Sequence, residues 1–187
     1  GSVWNGEWLW PKGSGTADAP IKIDKYGGDA LPVINGMGID RGMNYSGAVH
    51  LRNQEYWEIR NLEVTNDDDF DVDIDLSRPQ GDNSWSSQAE TRNGILIIAD
   101  GDLLNDDDDG IFDHIYIENC YVHDVDGPND WNDTFTGGII YNVVGTKIRP
   151  NTSFRDIRIA YNTIRKVDLL GITAVSYTHL TLPTTPY

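Results

Sequence analysis

The sequence predicts an all-β solenoid, a series of short strand-and-turn units stacked on one another. Three observations predict it. An isoleucine is followed five residues later by Val or Ile in three separate phrases: Ile59 to Val64, Ile117 to Val122 and Ile159 to Ile164. A glycine opens a short apolar run before each phrase and once after the last, at Gly47 (GAVHL), Gly94 (GILII), Gly138 (GIIYNV) and Gly171 (GITA). An asparagine, Asn61, Asn119 or Asn162, interrupts the apolar positions of each phrase, where a tight corner needs a residue that tolerates left-handed backbone. Apolar and polar residues alternate on either side of it, so each phrase reads as strand, corner, strand. The glycines are 47, 44 and 33 residues apart, too irregular for propeller blades or leucine-rich repeats but natural for coils whose loops vary in length. A short β unit cannot bury its own apolar face, so it must stack on its neighbours.

Residues 1–28 are rich in Trp and Gly. A Gly-Ser-Gly-Thr turn (13–16) precedes Pro20 and the alternating Ile21 and Ile23, a loop entering a strand. Its glycines would suggest a phosphate cradle only if GKS or GKT and a helix followed, and neither does. Trp4, Trp8 and Trp10 are expected to cap the first coil, with a sugar-stacking platform as the other reading. After PVINGMG and the strand phrases of 47–66 comes an acidic insertion, 67–91. There Asp67, Asp68, Asp69, Asp71, Asp73 and Asp75 intersperse with Phe70, Val72 and Ile74, giving a solvated loop or, alternatively, a strand with one carboxylate face.

A second acidic insertion spans 100–113. Asn105, Asp107 and Asp109 fall at alternate positions, Gly110 follows and Asp113 comes three later, which matches the first part of a calcium loop. Tyr116 stands where the loop's bidentate Glu belongs. The expectation is a calcium site with Asn105, Asp107, Asp109 and Asp113 as ligands, against the plainer reading of an acidic turn. Cys120 is expected to act as a small buried hydrophobe, and a single cysteine forms no intrachain disulfide.

Thirty carboxylates against fourteen Lys and Arg give a net charge of −16. That excludes nucleic acid as a partner, because phosphates require a basic face. It also opposes bare polyanionic substrates unless a cation bridges the repulsion. No run of 18 apolar residues is present, so no membrane-spanning helix is predicted. Residues 175–187, VSYTHLTLPTTPY, depart from the repeat and resemble a translated sequencing adapter. They are set aside from the fold, and residues 1–174 are read as a truncated fragment of about three to four coils.

Several phrases resemble a known family. PKGSGTADAPIKIDKYG, PVINGMG, GAVHL, YWEIRNLEVTN, RNGILI, HIYIENCYVHDVDG and FRDIRIAYNTI are similar to successive phrases of the right-handed parallel β-helix proteins of the pectin-lyase-like superfamily, in its secreted bacterial carbohydrate-active branch. The resemblance covers residues 10–173. It implies a right-handed parallel β-helix, an extracellular or cell-surface location and a polysaccharide partner. That scaffold serves lyases, hydrolases, esterases and non-catalytic adhesins alike, so it does not choose the chemistry.

In such enzymes side chains from stacked coils converge on an outer face. The candidates are Arg92, Asp100, His123, Asp124, Asp126 and Asp168. A glycosidase needs one carboxylic acid to protonate the leaving oxygen and one carboxylate as base or nucleophile; Asp124 and Asp126, with an acid from a neighbouring coil, supply that set. A lyase needs a base and a cation beside a uronate carboxyl; His123 is the candidate base, Arg92 the stabiliser and the acidic loop the calcium holder. The bland readings are a corner hydrogen bond for His123 and Asp124 and a surface ion pair for Arg92. A metal triad of His50, His114 and His123 has no ligand spacing behind it. The acidity and the scarcity of lysine place hydrolysis ahead of β-elimination. A glycan-binding or adhesive solenoid is the third reading, and the chain is expected to be a monomer.

Overall fold

The computed structural model describes residues 1–38, 46–67, 92–127, 136–145 and 152–175. Among these, strands recur in a fixed cycle through three parallel sheets. The first sheet contains β1 (Val3–Asn5), β3 (Val33–Asn35), β6 (Glu63–Asn66), β9 (Tyr121–Val125) and β12 (Thr163–Val167), side by side in that order. The second contains β4 (Val49–Arg52), β7 (Asn93–Asp100), β10 (Gly137–Val144) and β13 (Leu170–Val175). The third contains β2 (Ile21–Ile23), β5 (Trp57–Arg60), β8 (Ile111–Glu118) and β11 (Ser153–Ala160). From β4 onward the chain visits the second, third and first sheets in turn and then repeats. All strand pairs are parallel, each strand bonding to its counterparts one coil before and one coil after, as in a β-helix-like solenoid.

The triple repeat is the core of this stack. Ile59, Ile117 and Ile159 stand in one register column of the third sheet, and Val64, Val122 and Ile164 in one column of the first. Ile59, Val64, Ile117 and Val122 have no exposed surface. Each contributes about 1.5–3 kcal/mol by leaving water, and each does so only because the next coil covers it. Cys120 is buried among these residues as expected, with its thiol pushed up to about 11 by burial.

The glycine marker has a packing cause. A Cβ on Gly94 would lie 2.4 Å from Val122 Cγ1 and 2.8 Å from the Gly138 carbonyl oxygen; one on Gly138 would meet the Gly171 carbonyl at 2.7 Å and Ile164 at 2.8 Å. The second sheet begins where it crosses closest to the first, so side chains are excluded there. Gly47 is an exception to the expected column. Val49 pairs with Ile95, which puts Ala48, not Gly47, opposite Gly94.

The corner residues also need one correction. Left-handed backbone recurs between the third and first sheets at Asn61 (φ 53°), Asn119 (φ 54°) and Tyr161 (φ 57°). Asn162 is therefore not the third member of an asparagine column. Its amide bridges coils instead: Oδ1 accepts from the Cys120 N–H at 2.9 Å and Nδ2 donates to the Ile117 carbonyl at 2.8 Å. The amino-terminal turn forms as expected, with Thr16 and Ala19 exchanging backbone hydrogen bonds at 3.1 and 3.0 Å. Of the first acidic insertion only Asp67 is among the described residues. The expectation about residues 175–187 falls on described structure only at Val175, the last residue of β13.

Candidate functional site

A β-bulge between β6 and β9 breaks the solenoid's regular alternation, and it builds the site. In β9, Val122 and Val125 are both buried although they are three residues apart. Strict alternation would turn Asp124 into the core. Instead Val64 pairs with Val122 and Asn66 with Val125, so His123 and Asp124 together oppose the single Thr65. The extra residue is taken up by Asp124, whose φ is 47°. Such a bulge re-aims side chains; here it puts both His123 and Asp124 on the outer face. The next coil repeats it, with Lys166 at φ 49° between the half-buried Ile164 and Val167.

The outward groups form a connected cluster. His123 Nδ1 lies 2.5 Å from Asp124 Oδ2, and Nε2 lies 3.1 Å from Glu63 Oε1 on the adjacent coil. Its ring stacks on Tyr121 with centroids 4.0 Å apart. Lys166 Nζ reaches the other oxygen of Asp124 at 3.2 Å. The His123 hydrogen bond holds the Asp124 carboxyl below the ordinary range; partial burial opposes this and Lys166 reinforces it. Asp124 is thus an ionised carboxylate at neutral pH. It lines a cavity of about 220 Å³ together with Asn35, Met37, Thr65 and Asp67, residues of three successive coils.

The remaining predicted residues divide between this neighbourhood and others. Asp126 follows β9 and its N–H donates to the Asn66 carbonyl at 3.3 Å. At the same corner, Gly127 N–H donates to Asp168 Oδ2 at 3.3 Å, and a Cβ on Gly127 would lie 3.3 Å from the Cβ of buried Arg92. The fold therefore gathers Arg92, Asp126 and Asp168 beside the end of β9, next to Asp124. Asp100 is elsewhere: it is buried at the end of β7, ion-paired with Arg52, and caps the short 3-10 turn Gly101–Leu103.

The calcium loop is not assembled as its spacing predicts. Asp113 receives the Arg155 guanidinium through both carboxylate oxygens. Asp109 accepts from the Ile111 N–H at 3.0 Å, and Asp108, not Asp107, accepts from the Asn105 N–H at 2.7 Å. Among the described residues no group of three or more His, Cys, Asp or Glu side chains is arranged to hold a metal ion. His50, His114 and His123 lie on β4, β8 and β9, strands of three different sheets, so they form no triad.

Sequence reading missed Glu63, Lys166, Thr65 and Asn35, and took Asp67 for part of a solvated loop. The usable signal was the spacing of Val122 to Val125 and of Ile164 to Val167: two apolar residues three apart in a strand mark a bulge that exposes both residues between them.

A second polar face serves structure. On the third sheet Lys22, Glu58, Arg60, Glu118 and Arg158 pair in succession at 3.1, 3.2, 2.9 and 2.8 Å. His114 spans Glu58 at 3.4 Å and Asp156 at 3.0 Å. Charges of both signs alternate across four coils here, which ties the coils together.

No family model matches the chain. It is 30% identical over 219 aligned residues to the lacto-N-biosidase of Bifidobacterium longum subsp. longum, an alignment that takes in 95% of this chain and 13% of that protein. Two crystal structures of a GH136 lacto-N-biosidase from Eubacterium ramulus are similar in fold. The selenomethionine derivative superposes with a TM-score of 0.67 at 22% identity and the native protein with 0.65 at 23%, each covering 89% of this chain and 27% of theirs. The chain therefore spans 13% of the curated relative's length, and its all-β, parallel-sheet architecture is that of a quarter or so of those solved structures.

Proposed function

We propose that this chain is part of an extracellular glycoside hydrolase of the lacto-N-biosidase type, built on a right-handed parallel β-helix and cleaving glycans with paired carboxylates. The observation that carries the reading is the cavity at the β9 bulge, where Asp124 and Asp67 from neighbouring coils face one hollow. Right-handedness follows from the general rule for parallel strand connections. The similarity to the Bifidobacterium lacto-N-biosidase over 95% of the chain supports the reaction class.

Asp124, kept ionised by His123 and Lys166, is the nucleophile or base. Asp67, which lines the same cavity, is the proton donor to the leaving oxygen, with Asp126, just after β9, as the other candidate donor. Asn35 and Thr65 supply amide and hydroxyl groups for sugar hydroxyls. Hydrolysis is preferred to β-elimination because a lyase base must offer a free lone pair, whereas both ring nitrogens of His123 face carboxylate oxygens. His123 is better suited to position and hold the charge of Asp124.

The test is to express the complete protein and assay it on a glycan ending in lacto-N-biose, on neutral polysaccharides and on polyuronates. Release of a disaccharide, lost in Asp124→Asn and in either Asp67→Asn or Asp126→Asn, is the expected result. The acid is identified as the one whose variant recovers activity on a substrate with a good leaving group. Unsaturated uronate products, or wild-type rates in Asp124→Asn, would overturn the assignment.

A further inference from the structure

A second polar site lies on the outer face of the second sheet, away from the β9 cluster. Leu9 bonds to β4 as an extra strand, its N–H donating to Ala48 O at 2.7 Å and its carbonyl accepting from His50 N–H at 3.0 Å. Trp10 and Lys12 consequently run alongside His50 and Arg52. The segment is held rigidly: the Trp10 indole N–H donates to the Gly47 carbonyl at 2.7 Å, the Pro11 carbonyl accepts from Gln54 at 2.8 Å and the Gly13 carbonyl accepts from the Trp57 indole at 2.9 Å. Trp10, Lys12, His50 and Arg52 line a hollow of about 70 Å³.

His50 is the anomaly. It is 4% exposed, yet neither ring nitrogen has a hydrogen-bond partner among the described residues. A buried polar group left unpaired costs about 1–3 kcal/mol, so the two ring nitrogens suit a ligand that carries oxygen atoms. Trp10 packs edge-on against the imidazole at 4.8 Å and fixes its plane. The ring stays neutral because burial, Arg52 and Lys12 all oppose its charging, leaving one donor and one acceptor nitrogen. Arg52 is balanced by Asp100. Lys12 forms no ion pair among the described residues. The site thus offers one uncompensated cation, an imidazole donor, an imidazole acceptor and an indole wall.

We propose that this hollow binds the carboxylate of an acidic sugar, with Lys12 and the His50 N–H on the carboxylate oxygens and the other His50 nitrogen accepting from a neighbouring hydroxyl. Its volume suits a carboxylate group, with the sugar ring outside against Trp10. A polyanion is still repelled by the net charge of −16, so the ligand is a short glycan bearing one acid.

The proposal does not depend on the hydrolase reading, because its test measures binding without turnover. The chain, labelled with ¹⁵N-histidine, is titrated with glucuronic acid, N-acetylneuraminic acid, acetate and lactose while the His50 ring resonances are followed. Saturable shifts are expected with an acidic sugar and not with lactose, with acetate at least tenfold weaker. Lys12→Gln, an exposed substitution that keeps the fold, is expected to weaken acidic-sugar binding by about tenfold or more, the value of a charge-assisted hydrogen bond. Unmoved His50 signals at high ligand concentration, equal binding of acetate and acidic sugar, or parental affinity in Lys12→Gln would each overturn it.

Discussion

At Asp124 the backbone holds a left-handed conformation, φ 47°, that costs a non-glycine residue about 1–3 kcal/mol. The cost persists because Val122 and Val125 on either side are fully buried and because the carboxylate gains two partners, His123 and Lys166. Two predictions belong at this scale. Asp124→Asn is expected to lower kcat of the complete enzyme by about 10²–10⁴-fold, the range for losing a positioned acid or base, while leaving the thermal midpoint within a few degrees; steady-state kinetics and calorimetry check both halves. The second concerns pH. The folded-state value of Asp124 is depressed, so its stabilising effect is complete above the unfolded value and is lost as pH falls through the folded one. Lys166→Met removes one cause of that depression. It is expected to move the acid limb of activity, and the Asp124 carbon resonance titration, to higher pH; an unmoved titration would show that Lys166 does not act on Asp124.

At the scale of the element, the bulges and glycines explain why these strands are not interchangeable. The second sheet is crowded at Gly94 and open at Gly171, where among the described residues an added Cβ meets nothing within 4 Å. Gly94→Ala is expected to cost about 1–3 kcal/mol through overpacking against Val122 and the Gly138 carbonyl, whereas Gly171→Ala should change stability by no more than about 0.5 kcal/mol. Urea melts of the two variants side by side measure the difference, and equal midpoints would remove close packing as the reason for the glycine column. A second column of left-handed residues, in continuous register, builds no site. Tyr56, His114 and Asp156 have φ values of 57°, 52° and 54°, and each immediately precedes a core residue, Trp57, Ile115 or Ile157. Left-handed backbone alone therefore marks no site; Asp124 is a candidate because its side chain lines a cavity.

For the whole molecule, the dominant electrostatic term is self-repulsion from a net charge of −16. Salt screens exposed like charges that lie more than about 8–10 Å apart at 0.1–0.15 M. Raising sodium chloride from 20 mM to 0.5 M is expected to increase the thermal midpoint, with the same gain in the presence of a chelator. A rise that calcium alone produces, and that chelation abolishes, would instead reinstate a metal at the Asn105, Asp107 and Asp109 loop. The charge ladder of the third sheet limits the gain, because its ion pairs weaken in salt as the general repulsion does.

Much of the architecture was legible in the sequence because a solenoid repeats itself: Ile59, Ile117 and Ile159 are each followed by their partner at one fixed spacing, and stacking converts sequence periodicity directly into spatial columns. The buried face, the short corners and the glycine crowding follow from residue size and alternation alone. Asp124 and His123 were legible as polar residues at a strand end, but their partners were not. Glu63, Asp67 and Lys166 come from other coils, 61, 57 and 42 residues away from Asp124 in the chain, and only stacking in register makes them neighbours. The bulge itself depends on the pairing of β9 with β6, since an extra residue exists only relative to the strand opposite. Asp113 shows the converse: its motif context suggested a metal ligand, and the tertiary structure gave it to Arg155. Local sequence determined which residues form strands and which face the core; long-range register decided which charges meet.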